Sequence, residues 1–316
     1  MAETGPFRVG VIGARGYVGR ELLRLVRDHP RLDLAFASSR ALAGQPVSEQ
    51  VDGLETAFLE SEPGVVERGA DVFVLALPNE ASGPYVEAID RHAPGALVVD
   101  LSADYRFDDG WVYGLSEHNA ERIAQARRIS NPGCYATAMH LALRPIIDLC
   151  AAPPHCFGVS GYSGAGTSPS EKNDPTVVTD NILPYAITGH LHQREVSRHL
   201  GREVRFAPSV GGHFRGIVLT ALAELGDPVG RGDLAARFER AYAGRPMVRF
   251  EAEGPIDLRG VAGTNLARVG GLSVDAEDPR RVGVVCALDN LLKGAASQAI
   301  QNINLALGLA PTEGLA

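Results

Sequence analysis

Cys134 sits in Ser130-Asn131-Pro132-Gly133-Cys134-Tyr135, after a Pro-Gly turn and at the head of an apolar stretch that predicts a helix reaching about Leu149. A thiol at a helix N-terminus feels the positive end of the helix dipole, which raises its thiolate fraction and suits it to nucleophilic catalysis. Cys150, Cys156 and Cys286 lie in apolar stretches and read as packing residues. A second pattern is Gly13-Ala14-Arg15-Gly16-Tyr17-Val18-Gly19, glycines at every third position between an apolar run and a helical one. Glycines there allow a sharp turn and let a pyrophosphate approach the helix N-terminus, although a plain structural turn has the same composition. An NAD-binding unit carries a carboxylate about 20 residues further on; this chain has Ser38-Ser39-Arg40 instead. Two hydroxyls and a guanidinium suit a 2′-phosphate, so NADP(H) is the expected cofactor, unless Arg40 is an ordinary solvated charge.

The elements that would position these groups fall into two textures. Phe7–Ile12, Leu32–Ala37, Val72–Leu77 and Ala96–Leu101 are short apolar runs. Between them come a helical pattern through Leu22, Leu23, Leu25 and Val26, stopping before Pro30, and another from Pro84 to Arg91. That alternation predicts a parallel sheet covered on both faces. Past residue 150, Pro and Gly become frequent, and runs such as 216–223 and 282–288 read as strands with few helices between them. This half predicts an α+β domain with a mainly antiparallel sheet. Leu292, Ala296, Ala299, Ile303 and Leu307 recur at helical spacing and predict an amphipathic helix near the C-terminus.

The 316 residues include 45% apolar and 22% charged side chains, enough for a sizeable core. A net charge of −8 disfavours non-specific nucleic-acid binding, so an anionic substrate needs a local cationic cluster. The opening Met1-Ala2-Glu3-Thr4-Gly5-Pro6 lacks the features of a secretory signal, and no apolar run approaches the roughly 18 residues of a membrane helix. Four cysteines without C-x-x-C spacing suggest reduced thiols and a cytoplasmic protein.

Taken in order, the chain resembles the N-acetyl-γ-glutamyl-phosphate reductase family, relatives of aspartate-semialdehyde dehydrogenase. The markers are 13–19 above, Asp100-Leu101-Ser102-Ala103-Asp104-Tyr105-Arg106, Asn131-Pro132-Gly133-Cys134-Tyr135, Ser163-Gly164-Ala165-Gly166, His190-x-His192-x-x-Glu195 and Asp289-Asn290-Leu291-Leu292-Lys293-Gly294-Ala295. The resemblance implies an NADP(H)-binding Rossmann-like domain over 1–133, completed by a C-terminal helix within 290–316, and a catalytic and oligomerisation domain over 134–289. It implies NADPH-dependent reduction of an acyl phosphate to an aldehyde through a Cys134 thioester, in a dimer or tetramer. Arg106 resembles the phosphate-binding arginine, with Asn131, Ser102 and Glu195 as further substrate contacts; by itself Arg106 could equally be a surface partner of Asp104 or Asp108. Ser163 and Gly164 resemble the loop at the nicotinamide end, and Asn290 the residue that bonds the nicotinamide amide or, failing that, caps the last helix.

The same resemblance puts His190, His192 and Glu195 in the active site. Being two apart, the histidines share a face only if extended. The segment around Pro208 departs from the family by carrying Ser209 where His is common, and His213 resembles the histidine of the aspartate-semialdehyde branch. An ordinary pKa near about 6.5 suits all three, so the general acid/base stays open among them. A metal is not expected, because thiol-based acyl transfer needs no Lewis acid. Rival readings are the same chemistry on aspartyl phosphate or a carrier-bound aminoadipyl phosphate, a Cys/His hydrolase, and a silent NADP sensor.

Overall fold

The computed structural model describes residues 5–315; the opening Met1–Thr4, expected not to be a leader, and Ala316 lie outside them. The chain divides into two compact units, Met1–Gly133 with Ala295–Ala316, and Cys134–Gly294.

In the first unit, β1 (Phe7–Ile12), α1 (Tyr17–Asp28), β2 (Leu32–Ser38), β3 (Val72–Leu75), α2 (Gly83–His92), β4 (Leu97–Asp100), β5 (Val112–Tyr113), α3 (Ser116–Ile123) and β6 (Arg128–Ser130) follow one another. The strands form one sheet in the order β2-β1-β3-β4-β6-β5, every pair parallel. All four residues of β3 and of β4 are buried, as strands with both faces covered must be. The chain leaves β1 for β2 on one side and returns to β3 on the other, so the order reverses at the carboxyl end of β1, where open α/β sheets bind ligands.

In the second unit, α4 (Cys134–Leu143) is apolar on all sides and buried from Tyr135 to Leu143. The helix expected to reach Leu149 stops at Leu143, because Pro145 disfavours helical backbone at Arg144; a 3-10 turn, Ile147–Leu149, follows. Next come β7 (His155–Gly161), α5 (Pro175–Val178), β8 (Ile182–Pro184), α6 (Leu191–Leu200), β9 (Arg205–Gly211), β10 (Ile217–Glu224), α7 (Arg231–Tyr242), β11 (Val248–Glu251), β12 (Ala267–Val274) and β13 (Arg281–Leu288). Their sheet runs β11-β12-β13-β10-β7-β9-β8, antiparallel except for β11 with β12 and β7 with β9. In β10 the residues Ile217, Leu219, Ala221 and Ala223 are buried in the core that includes α4 and α7. Residues on the other face are only partly covered, and Leu222 and Phe157 are 57% and 51% exposed.

Residues 292–296 form a π-helical turn, and α8 (Ser297–Ala306) belongs to the first unit. The amphipathic helix expected here is instead buried all round: Gln298, Gln301, Asn302 and Asn304 are covered as fully as Ala299, Ile300 and Ile303. The amides of Gln298, Asn302 and Asn304 find partners in the protein, as a buried amide requires. Gln298 donates to the Gly114 carbonyl at 2.8 Å and to Ser116 at 2.9 Å; Asn302 donates to the same carbonyl and to Asn131 Oδ1. A Cβ at Gly114 would run into the side chains of Asn302 and Ile129, so a larger residue there would displace the Asn302 amide. Buried His29 bonds Asn304 through Nε2 and accepts the Arg31 N–H at Nδ1, and burial holds its pKa below the ordinary histidine value.

Candidate active site

In the first unit, the turn from β1 into α1 is built by glycines at two tight points. Gly13 has φ +83°, and a Cβ there would lie 2.5 Å from the Ala76 carbonyl. At Gly19 a Cβ would meet the Ala14 carbonyl at 2.5 Å, so the helix closes on its own loop only with glycine. Between them Gly16 is the N-cap of α1, with no side chain capping the helix and no other residue within 4 Å of where its Cβ would be. Arg15 is exposed, Tyr17 and Val18 are half-buried, and Ala14 is buried with its N–H on the Ser38 carbonyl at 2.9 Å. This open helix start at the sheet's reversal point fits a pyrophosphate. Of the three residues expected at a 2′-phosphate, Arg40 is exposed. Ser38 is buried with its hydroxyl on Ser61, and Ser39 accepts the Leu42 N–H.

Arg106 is buried and not a surface side chain. Its Nε donates to the Asn131 carbonyl at 2.9 Å and its Nη2 to the Leu101 carbonyl at 2.8 Å. Asp104 instead accepts the N–H groups of Glu80 and Ser82, and Asp108 that of Gly110. The side chains of Ser102 and Asn131, expected to touch substrate, have partners inside the unit. Ser102 and Ser82 both donate to Asp100, whose carboxyl is pushed up by burial, and Asn131 accepts from Asn302.

In the second unit, Cys134 opens α4 and is partly exposed. Space for it depends on Gly294, where a Cβ would lie 2.8 Å from that of Cys134. Tyr135 points inward: its hydroxyl reaches the carbonyls of Ser209 at 2.7 Å and Gly158 at 3.1 Å, and its ring meets Phe206 edge-on. Ser209, where the family commonly has His, is fully buried. Burial pushes the thiols of Cys150, Cys156 and Cys286 up, as expected of packing residues.

His190 and His192 are brought together without the extended segment that their spacing called for. His190 is the N-cap of α6, where its Nδ1 accepts the His192 N–H at 3.1 Å, and the two rings meet at 4.9 Å. With Nδ1 accepting, the neutral ring carries its proton on Nε2. Phe206 and Tyr185 lie against His190 at 5.3 and 5.7 Å. Burial, helped by the charge of Lys172 and opposed by buried Glu195, holds His190 below the ordinary histidine pKa. Burial raises the Tyr185 phenol; the Tyr185 N–H donates to the Pro208 carbonyl, one residue from the Ser209 carbonyl that takes the hydroxyl of Tyr135, the residue after Cys134.

His213 belongs to a different group. It lies between β9 and β10 with Nε2 3.2 Å from the Gly216 carbonyl, and the carbonyls of His213 and Phe214 accept the N–H groups of Tyr162 and Ser163. Asn290 ties the same loops, donating to Ser163 at 2.9 Å and accepting the Gly216 N–H at 2.6 Å; Gly164 beside it is exposed. Tyr185 and Lys172 are absent from the sequence reading because neither lies in a spaced motif; only the fold brings them to His190.

Two family models match the chain: the NAD binding domain of semialdehyde dehydrogenases over residues 8–126 and their dimerisation domain over residues 134–290. Among curated relatives, N-acetyl-gamma-glutamyl-phosphate reductase of Xanthomonas campestris pv. campestris strain B100 is 52% identical over 307 residues, 96% of each chain. The proteins of that name from Stenotrophomonas maltophilia and Xylella fastidiosa are 51% and 48% identical, over 96% and 97% of this chain and 96% and 94% of theirs. Among solved structures, aspartate semialdehyde dehydrogenase II of Vibrio cholerae superposes with a TM-score of 0.79 at 18% identity, covering 96% of this chain and 99% of that one. The Candida albicans aspartate semialdehyde dehydrogenase with NADP gives 0.73 at 15%, covering 96% and 99%. These two structures share the fold, and the sequence matches add the family. With about half its residues identical over nearly the whole length, the chain belongs to the N-acetyl-γ-glutamyl-phosphate reductase family.

Proposed function

We infer that this protein reduces N-acetyl-γ-glutamyl phosphate with NADPH to N-acetylglutamate γ-semialdehyde and phosphate, a step of arginine biosynthesis carried out in the cytoplasm. The observation that carries this is the partly exposed Cys134 thiol at the head of α4, next in the chain to Tyr135, whose ring lies 6.2 Å from that of His192, in a chain half identical to reductases of that name.

Bound NADPH supplies the hydride; Gly13, Gly16 and Gly19 would hold its pyrophosphate, Arg40 its 2′-phosphate, and the loop at Ser163 and Gly164, with Asn290, its nicotinamide end. The chain's own groups do the rest. Cys134 Sγ bonds to the acyl carbon as the bond to phosphate breaks, leaving a thioester, and Arg106 is the cation assigned to the departing phosphate. Negative charge develops on the former carbonyl oxygen when Sγ adds and again when the thioester is reduced, and it passes to Sγ when the tetrahedral adduct collapses to release the aldehyde and the Cys134 thiolate. His190 is the donor assigned to that oxygen, because its Nδ1 already accepts a backbone N–H and its proton is on Nε2. His192 and Glu195 position it, and His213 shapes the Ser163 loop.

The reverse reaction tests this. With N-acetylglutamate γ-semialdehyde, NADP+ and phosphate, the protein is expected to form NADPH only when phosphate is present. Activity with aspartate semialdehyde alone would overturn the substrate, and no reaction with any aldehyde would overturn the chemistry. The profile of kcat/KM against pH follows from His190. Protonating Nδ1 would cost the ring the bond it accepts from the His192 N–H and with it the orientation of Nε2, and burial depresses its pKa, so the rate should hold through about pH 6.5 and fall only in more acidic solution.

The dimerisation-domain match supports a homo-oligomer, and the open face of the second unit's sheet around Leu222 and Phe157 is the surface we assign to a second copy. Leu222→Arg should lower the mass measured by sedimentation towards the 33.5 kDa of one chain; an unchanged mass would move the contact elsewhere.

A further inference from the structure

We propose that Lys172 binds the α-carboxylate of the substrate and so selects an N-acyl amino acid derivative over a plain acyl chain. The proposal rests on the function inferred above and adds to it the group that reads the far end of the substrate. Its starting point is how the chain uses its cations. Lys172 and Lys293 are the only lysines in a sequence with 30 basic residues; every other cation is arginine. Lys293 is fully buried. Lys172 is thus the one lysine with access to solvent, and it stands in the cluster around the nucleophile.

Its ammonium lies 4.8 Å from the centre of the Tyr185 ring, a cation–π contact on the side chain that meets His190, and Tyr185 is bonded to Pro208 next to the Ser209 carbonyl that holds Tyr135, the neighbour of Cys134. The segment that carries it is fixed at its base. Asn173 donates to the carbonyls of Gly166 and Ser168 and accepts the Ser170 N–H, and Asp174 caps α5 through the Thr176 N–H and hydroxyl. Among the described residues no carboxylate is within ion-pair distance of Lys172. Arg215, by contrast, is taken by Asp289 at 2.7 Å.

The substrate supplies the missing anion. N-acetylglutamyl phosphate is charged at both ends, and once its acyl carbon is at Cys134 its carboxylate has to lie further along the chain. An ammonium held on Tyr185, one ring away from the nucleophile's surroundings, is placed to meet it. A compact point charge suits one carboxylate approached from solvent, where an arginine fork would add a second, fixed direction.

The test compares two aldehydes that differ only in that group, N-acetylglutamate γ-semialdehyde and 4-acetamidobutanal, in the phosphate-dependent formation of NADPH by the full-length protein. Wild type is expected to prefer the carboxylated aldehyde, and Lys172→Met to lose about 10- to 100-fold in kcat/KM on it, mainly through KM, with little change on 4-acetamidobutanal. Lys172→Arg should recover part of the loss. An equal loss on both aldehydes would assign Lys172 to the electrostatics of the histidine cluster, and no loss on either would make it a surface charge; both results overturn the proposal. A wild type inactive with the carboxylated aldehyde would overturn the inferred function itself. Thermal unfolding of the variant should match wild type, because Lys172 is only partly buried and makes a single ring contact.

Discussion

Cys134→Ser should abolish phosphate-dependent NADP+ reduction, lowering kcat by about 10³-fold or more while leaving NADP(H) binding intact. Oxygen replaces sulfur in nearly the same volume at a partly exposed position, so the fold is preserved. What is lost is the nucleophile: a serine hydroxyl is very little ionised near neutrality, whereas a thiol is readily converted to a thiolate. Cofactor affinity, read by nicotinamide fluorescence, should not change, because the variant alters neither the glycine turn nor the bonds of Asn290 to Ser163 and Gly216. This pair of readouts separates the rivals. A thiol hydrolase would show no NADP(H) binding in either protein, and a cofactor sensor would keep every function in the variant.

The second large effect is on stability. Asp289 is fully buried at the end of β13, where its carboxylate faces Arg215 at 2.7 Å. It also accepts the N–H groups of Gly263 at 2.6 Å, Leu291 at 2.8 Å and Leu292 at 3.2 Å. One side chain thus ties the 258–263 loop, the turn before β10 and the chain leaving β13. Asp289→Ala would leave a guanidinium without its counter-charge and three amide groups without acceptors, a loss of about 3–5 kcal/mol. The midpoint of urea unfolding should fall accordingly. Asn290 next to it holds the Ser163 loop through bonds to Ser163 and Gly216, so the affinity for NADP(H) is expected to weaken as well. A shift below about 1 kcal/mol would show that Asp289 is not the tie described.

Much of this was legible in the residues. Unbroken apolar runs gave away the parallel sheet, because strands with two covered faces need no polar side. Position between a strand and a helix gave meaning to the glycines of 13–19, and the Pro-Gly turn marked the helix that begins at Cys134. The rest depended on partners remote in sequence. His190 and His192 were expected to need an extended segment, whereas capping geometry turned one ring back onto the first turn of α6. The polar positions of α8 look solvent-facing until their partners at Gly114 and Asn131 are known. The internal partners of Ser102 and Asn131 are hidden for the same reason, and Tyr185 and Lys172 carry no local signature at all.

The all-round burial of α8 has a consequence for how the molecule is made. Synthesis delivers residues 5–133 first and residues 295–315 last, with the whole second unit between them. Until the final segment emerges from the ribosome, the Gly114 carbonyl and the Asn131 amide lack the partners that Gln298 and Asn302 provide. The nascent first half must wait, incomplete, while the second half folds behind it. A premature stop between codons 295 and 302 would therefore spare the second unit, made just before the break, and disable the first, made long before it.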